Sequence, residues 1–384
     1  MALSSLHPAG RALAGPWSTQ PVIGLAAQYV VNPQFSGAQS PPSETHAALF
    51  ANVPLNYDAD QFHFVLDPSA RYGNTTGYSS VTSNYYYVDT TLQYNTDFNV
   101  FSLSGYFHRD ASLLYAAEIA DGISQRRDTS NAQANWMRVL TERAQFNFNA
   151  SVIRTLYESD HGGSGLVDYK YSSLSPSLSY ALTERDTVKV LGGTGRYDSL
   201  NELTSSKSAN VQLGLDHRFS ELWTASATAG YSKATNRYKI YFGPFYLGTE
   251  ETRQNGAVYS LSLERHSPLL DFKASAYRAL TATGFTFLSR QDTLALGATY
   301  NRDARWSFSG FLNWTGVADP LIGGGESKHR FYTVGVLASY RLTERWGLAL
   351  RASKVKQQFG AGTGNPASSG VSLEISRQFD RTNQ

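Results

Sequence analysis

The sequence contains no cysteine, and its charges nearly balance. The absence of cysteine from 384 residues excludes disulfide bonds, thiolate metal sites and cysteine nucleophiles. The 33 Lys and Arg residues against 31 Asp and Glu residues leave a formal net charge of +2. Nucleic-acid-binding domains carry a clear excess of basic residues, so we expect no nucleic-acid partner.

Long apolar runs are also missing. A transmembrane helix needs about 20 consecutive apolar residues, and the apolar stretches here are soon interrupted by Ser, Asn, Gln or Thr. Charged residues, at 17%, are nevertheless scarcer than the roughly 25% of a typical soluble domain, and aromatic residues reach 13%. With a mean hydropathy of −0.34, this composition favours a closed β-barrel, whose strands alternate apolar and polar residues and satisfy every backbone group in lipid.

Apolar residues recur with a period of two throughout residues 21–379. They occupy alternate positions over 47–57 and again over 209–215, where Asn, Gln and Gly lie between them. Successive side chains of a β-strand point to opposite faces, whereas a helix would not keep this period. The chain is therefore predicted to be all-β.

Short polar turns alternate with long connections rich in Gly, Ser, Thr and Asn. The phrase Leu-Thr-Glu-Arg recurs at 140–143, 182–185 and 342–345, with related turns at 57–60, 95–98, 219–222, 266–268 and 301–304. Nine long loops are predicted, at 32–45, 73–83, 109–128, 158–168, 198–206, 233–255, 280–290, 315–329 and 357–367. This alternation predicts a transmembrane antiparallel up-and-down β-barrel of about 18 strands (16–18) in the bacterial outer membrane, with short periplasmic turns and long extracellular loops.

The barrel is expected to occupy residues 21–379. Residues 1–20 lack the apolar segment of a signal peptide, and we expect them to form an N-terminal periplasmic extension. Residues 380–384 would form a C-terminal tail. The alternative is a water-soluble all-β protein in which aromatic residues simply favour strands, although a propeller or sandwich would not be expected to place a long loop after every second strand.

Two sets of phrases resemble a known family. The strand and turn of residues 175–185 are echoed at 338–346, and a loop phrase runs Arg126-Arg127-Asp128-Thr129. Together they look like the β-barrel porin family associated with exopolysaccharide and exosortase gene clusters, over most of residues 46–379. The resemblance implies an outer-membrane barrel that works in polymer export or in surface-protein display, and it brings no catalytic residues.

Charged residues within the strands are predicted to line the lumen. An Arg or Lys facing lipid near the midplane costs about 2–4 kcal/mol, so charges on the phase opposite the apolar residues should point inward. The lumen-lining candidates are Asp67, Arg71, Asp89, His108, Lys189, Asp216, Arg218, Glu264, Asp271, Lys273, Arg305, Arg341, Arg351 and Glu374. Such a mixed set either braces the wall by ion pairs or, through its Arg and Lys members, selects an anionic solute.

The predicted loop at 233–255 is the other candidate site. Aromatic residues crowd its tip, and their faces can stack on sugar rings; they are Tyr238, Tyr241, Phe242, Phe245 and Tyr246. The alternatives are a loop that folds into the barrel, a strand extension above the membrane, or a hydrophobic contact with neighbouring loops.

Catalytic and metal-binding patterns are missing. His161, His266 and His329 lie in or beside connections without the spacing of a nucleophile and its base. No pair of His residues has a metal-binding spacing on a predicted element, and no Gly-rich phosphate loop leads into a predicted helix. We therefore expect no cofactor, no metal ion and no enzymatic activity.

The leading hypothesis is a porin-like conduit, in contact with outer-membrane lipid, that serves export of a polysaccharide or related polymer and docks a periplasmic export partner. The solute could also be small. The alternative is a structural or surface-binding barrel with a closed lumen, and an outer-membrane barrel enzyme is a distant third.

Overall fold

The protein was analysed as a computed structural model. It describes residues 17–32, 43–76, 84–111, 126–158, 166–242, 244–284, 287–320, 326–358, 366–380 and 382–383. Within these ranges no helix is long and apolar enough to cross a membrane.

The described chain is a succession of antiparallel strands. They are β1 (Trp17–Thr19), β2 (Val22–Val31), β3 (Ser43–Asn52), β4 (Leu55–Asp58), β5 (Phe62–Thr76), β6 (Tyr85–Asn95), β7 (Asn99–Ala111), β8 (Arg126–Val139), β9 (Ala144–Tyr157), β10 (Tyr169–Ala181), β11 (Asp186–Ser199), β12 (Thr204–Arg218), β13 (Trp223–Phe242), β14 (Phe245–Arg265), β15 (Leu270–Ala282), β16 (Leu288–Asn301), β17 (Trp306–Pro320), β18 (Glu326–Arg341), β19 (Trp346–Gln358), β20 (Ala367–Gln378) and β21 (Thr382–Asn383).

The sheet closes on itself because β2 pairs with β20, for example Leu25 with Ile375. From β5 to β20 each strand pairs with the next along the chain. Both β3 and β4 pair with β5 and form one strand, interrupted at Val53 and Pro54, where proline lacks the N–H that a ladder requires. Counting β3 and β4 together, and leaving out the short β1 and β21, the wall has 18 strands, which confirms the predicted up-and-down barrel.

Two short strands extend the wall at the seam, at the end where the short turns lie. Trp17 of β1 lies opposite Tyr57 of β4, with ring centroids 4.9 Å apart, and Ser18 lies opposite Asn383 of β21. Both lie in the segments predicted as a periplasmic extension (1–20) and a tail (380–384). Their side of the membrane stays a prediction, and residues 1–16 lie outside the described ranges.

Exposure alternates along the strands and identifies the two faces of the wall. Leu25, Leu213 and Val336 are 59%, 67% and 57% exposed, whereas Tyr197 and Gln357, on the opposite phase, are fully buried. Only the interior of a single closed sheet can bury a side chain completely. The exposed apolar phase therefore faces outward, where a band of Leu, Val, Phe and Tyr contacts lipid, as in outer-membrane barrels.

The recurring turn phrase has a common hydrogen-bonding arrangement. The Thr183 hydroxyl accepts from the backbone N–H of Arg185 at 3.1 Å and of Asp186 at 3.0 Å. Thr141 and Thr343 accept in the same way, and Asp303 does so with its carboxylate. Ser, Thr and Asp favour turns because their side chains satisfy the backbone two and three residues on. The repeat in the sequence is thus a repeat of turn chemistry.

Four predicted loops are shorter than expected, and two of them are described in full or nearly so. The connection at 198–206 contains only residues 200–203 between β11 and β12. The segment 233–255 is a continuation of β13 and β14, which pair as far as Phe242 and Phe245. Both predictions failed because polar residues were counted as loop, although strands above the lipid keep their hydrogen-bond ladder without apolar side chains. The predicted loop at 280–290 is also shorter, because β15 ends at Ala282 and β16 begins at Leu288, and ten of the fifteen residues of 315–329 lie in β17 and β18. More than half of each remaining predicted loop lies outside the described residues.

Candidate functional site

The candidate site is the inner face of the wall. Thirteen of the fourteen predicted lumen-lining residues lie in strands on the inward-facing phase: Asp67, Arg71, Asp89, His108, Lys189, Asp216, Arg218, Glu264, Asp271, Lys273, Arg341, Arg351 and Glu374. Arg305 instead lies in the turn between β16 and β17 and is exposed. The alternation was extended one residue too far there, because Asp303 draws the chain into a turn before Trp306.

Two ion pairs link neighbouring strands across the lumen face. The Lys273 ammonium lies 2.6 Å from a Glu264 carboxylate oxygen, directly across from it. Lys189 pairs with Asp216, whose other oxygen accepts from Ser226 at 2.6 Å. Charge on this part of the wall is therefore largely compensated by neighbouring side chains; whether these pairs only brace the wall stays a prediction.

Two carboxylates meet on β5 and β6. Asp67 lies directly opposite Asp89, an arrangement that is unfavourable without partners. Asp67 accepts from the Asn52 amide, and Asp89 lies 3.0 Å from the Nε2 atom of His108. Asn52 was not predicted as a site residue, and only the pairing of β3 with β5 brings it here.

Two inward cations lie near the short-turn end, on β12 and β18. Among the described residues, Arg218 and Arg341 form no ion pair. Arg351 lies further along β19, across from Ser372. Asp271 pairs with His266 at 2.6 Å and so belongs to the turn region. The short-turn mouth therefore carries cations that could attract an anion.

The lumen is crossed at the opposite, loop end. The Val167 N–H donates to the Gly284 carbonyl at 2.8 Å, although four strands of wall separate β10 from β15. Tyr157 and Tyr197 join Leu288 in a buried cluster at this crossing, with Tyr169 stacked on Tyr197 at 5.3 Å. Gly284 permits the approach, because a Cβ there would lie 2.6 Å from the Tyr157 hydroxyl.

A buried ion pair lies at the same level on β7 and β8. Arg127 donates to Asp110 at 3.2 Å, and both are buried. Its neighbours in the chain point outward: Arg126 pairs with Glu158, and Asp128 with Arg109. All of these residues fell within predicted loops, Glu158 in 158–168 and the others in 109–128, and the continuing alternation of charged partners was the signal that could have placed them in strands.

The aromatic residues of 233–255 lie at the tip of the β13–β14 hairpin, as Tyr238, Tyr241, Phe242, Phe245 and Tyr246. The rings of Tyr241 and Tyr246 make an edge-to-face contact with centroids 5.6 Å apart, and Phe242 and Phe245 are 75% and 70% exposed. The tip thus presents open aromatic faces beyond the apolar band.

Below the tip, one carboxylate clamps the hairpin. Glu251 accepts from Arg253 at 3.1 Å and from Arg237, on the paired strand, at 3.2 Å. These hydrogen bonds, that from Arg253 first, hold the pKa of Glu251 below its ordinary value.

One Ser, His and Asp cluster bears on the enzyme hypothesis. The Nε2 atom of His329 lies 3.1 Å from the Ser327 hydroxyl and 3.5 Å from the Asp319 carboxylate, which also accepts from Ser289. A catalytic triad needs the nucleophile and the acid on different ring nitrogens, so this arrangement does not have triad geometry. In the described part of the chain, no group of three or more Asp, Glu or His is placed to hold a metal ion. The absence of an enzymatic activity stays a prediction.

The comparisons give no family. No family model and no curated protein matches the chain. Among solved structures, it is similar to the ferric citrate transporter FecA in the unliganded form (11% identity, 96% of this chain and 79% of that chain, TM-score 0.48). It is also similar to the FrpB iron transporter of Neisseria meningitidis in its apoprotein form (10%, 96% and 82%, 0.48) and to OpdQ of Pseudomonas aeruginosa (8%, 94% and 98%, 0.47). The fold assignment rests on the closed sheet itself.

Proposed function

We propose that this outer-membrane barrel is a porin-like conduit for polar solutes. The observation that carries the proposal is the 18-strand closed wall with charged and polar side chains on its inward phase. Barrels of 16–18 strands are wide enough to leave an aqueous channel. Arg218 and Arg341 near the short-turn mouth, which form no ion pair with another described residue, favour an anionic solute.

Export of a polysaccharide or related polymer is the finer proposal. It is supported by the resemblance of residues 175–185 and 338–346 to barrels of exopolysaccharide clusters, and by the exposed rings of Phe242 and Phe245, which could stack on sugars. An export partner would dock at the short turns on the periplasmic side. The Leu-Thr-Glu-Arg phrases in these segments also serve turn formation, so the resemblance alone is weak support for this finer proposal.

In this proposal the conduit is gated at the loop end, where the segments before β10 and after β15 meet inside the barrel. A solute would pass only when the contact between Val167 and Gly284 opens. The same contact supports a second candidate function, a surface-binding barrel whose lumen stays closed and whose aromatic hairpin tip provides the contact.

Conductance in planar bilayers separates the two functions. Tyr197→Ala removes a fully buried ring from the crossing, and Tyr231→Ala, on the lipid-facing phase, is the matched control. If the protein is a conduit, the wild type should conduct ions, Tyr197→Ala should have a higher conductance, and Tyr231→Ala should have the conductance of the wild type. If neither the wild type nor Tyr197→Ala conducts although both are folded, the closed, surface-binding function replaces the conduit.

A further inference from the structure

Cations face one another on the outer surface of β9 to β12, above the apolar band. Arg154 lies directly across from Lys170, and Arg196 directly across from Lys207. All four are exposed and lie on the outward phase of the wall, as Leu174, Val190 and Leu213 do. Like charges placed directly opposite each other destabilise a strand pair, so an anion bound between them would stabilise this part of the wall.

The protein supplies only part of that anionic charge. Asp198 binds Arg196 at 2.7 Å and lies across from Lys170. Among the described residues, Arg154, Lys170 and Lys207 form no ion pair. On other parts of the outer surface Arg109 pairs with Asp128 and Arg278 with Asp292. A local excess of positive charge therefore remains on β9 to β12.

An apolar groove of about 490 Å³ begins directly below these cations. One row across β7 to β10 runs Leu103, Ala134, Ala150 and Leu174, each opposite the next, so two alanines form a floor between two taller side chains. Arg196 lines the groove at its loop end. A second groove of about 270 Å³ shares Leu103 and Ala134 and continues toward Trp136 and the short-turn end.

We propose that this groove and its cations, defined by Ala134, Ala150, Arg154, Lys170 and Arg196, form a binding site for a phosphate-bearing membrane lipid. The groove lies on the lipid-facing surface, so an acyl chain reaches it without leaving the membrane. The cations lie where the strands emerge from the apolar band, at the level of a lipid headgroup. Arg and Lys donors suit phosphate oxygens by charge and by geometry, and basic residues near a membrane surface attract anionic lipids.

The test measures lipid binding to the folded barrel by native mass spectrometry. The probes are dioleoyl phosphatidic acid, dioleoylglycerol, which has the same chains without phosphate, and inorganic phosphate, which has no chain. We expect phosphatidic acid to bind the wild type at least tenfold more tightly than either of the other two. Equal binding of inorganic phosphate would overturn the lipid assignment in favour of a simple anion site.

Variants separate the two halves of the site. Arg154→Ser with Lys170→Ser should weaken phosphatidic acid binding at least tenfold, and Ala134→Leu with Ala150→Leu, which fills the groove, should weaken it severalfold. Lys354→Ser with Lys356→Ser is the matched control, because these exposed outward cations lie on β19, halfway around the wall from β10. Unchanged binding in the Arg154 and Lys170 variant, or an equal loss in the control, overturns the proposal. If that double variant does not fold, Lys170→Ser alone gives the same test.

Discussion

The guanidinium of Arg377 lies 5.0 Å from the ring centroid of Phe379. Arg377 also lies 5.8 Å from the ring of Trp346, its cross-strand partner. It occupies the outward phase of β20, where Val371, Leu373 and Ile375 would predict an apolar residue. Two aromatic faces at the short-turn end accommodate the charge, since a cation over an aromatic ring is attracted by the quadrupole of the ring.

Loss of that ring should weaken the seam of the barrel. Phe379→Ala is expected to lower the free energy of unfolding by about 0.5–2 kcal/mol, from lost cation–π attraction and lost apolar contact. Phe379→Trp keeps an aromatic face and should remain near wild type. Urea unfolding in lipid vesicles measures both, and equal stability of the two variants would contradict the interaction.

The inward cations should tune selectivity more than stability. Replacing Arg218, Arg341 and Arg351 by Ser is expected to leave the barrel folded and to shift the reversal potential in a salt gradient away from anions. The control is a variant in which Ser replaces Lys328, Lys354 and Lys356, because it removes the same charge from the outward face. A shift of the same size in the control would show that the three arginines do not line the ion path.

The turn hydroxyls should contribute measurable stability. Thr183→Val removes the acceptor for two backbone N–H groups. Since a hydrogen bond contributes about 0.5–1.5 kcal/mol, the free energy of unfolding should fall by about 1–3 kcal/mol. Thr183→Ser retains the hydroxyl and should cost little. Unfolding midpoints of Thr183→Val and Thr183→Ser measure the difference, and a valine variant as stable as the serine variant would rule out this role.

The hairpin tip should loosen in acid. Because hydrogen bonds from Arg253 and Arg237 lower the pKa of Glu251, the ionised carboxylate stabilises the hairpin at all pH values above the ordinary Glu pKa. That contribution is lost as the pH falls through the lowered pKa. The protection factors of 233–255 in hydrogen exchange, which are corrected for the intrinsic pH dependence of exchange, should therefore fall below about pH 4, and Glu251→Gln should remove that fall. An unchanged acid response in Glu251→Gln would assign it to another group.

The cysteine-free chain allows a direct test of orientation. Glu184→Cys places a thiol in a short turn, and Thr249→Cys places one near the hairpin tip. On intact cells, a membrane-impermeant maleimide should label the Thr249→Cys variant and not the Glu184→Cys variant, since long connections lie outside and short turns in the periplasm. Labelling of Glu184→Cys alone would reverse the topology.

Most of the wall could be predicted from local patterns. Apolar residues alternate over 209–215, and Thr183 marks a turn by its own hydrogen bonds, so strand identity and order follow from residues close together in the chain. The errors lie where local composition misleads. Residues 233–255 were predicted as a loop because they are polar, but a hairpin above the lipid needs no apolar face. Arg305 was assigned to β17, which begins one residue later, at Trp306.

The sequence by itself determined the fold class and the facing of each strand residue, because both follow from a period of two and from turns whose partners are two or three residues away. Only the tertiary structure decided what the wall encloses and exposes. The contact of Val167 with Gly284 joins strands far apart in the sheet, and the alanine floor at Ala134 and Ala150 exists only in the register of β8 with β9. Such contacts depend on barrel closure, which no local pattern encodes.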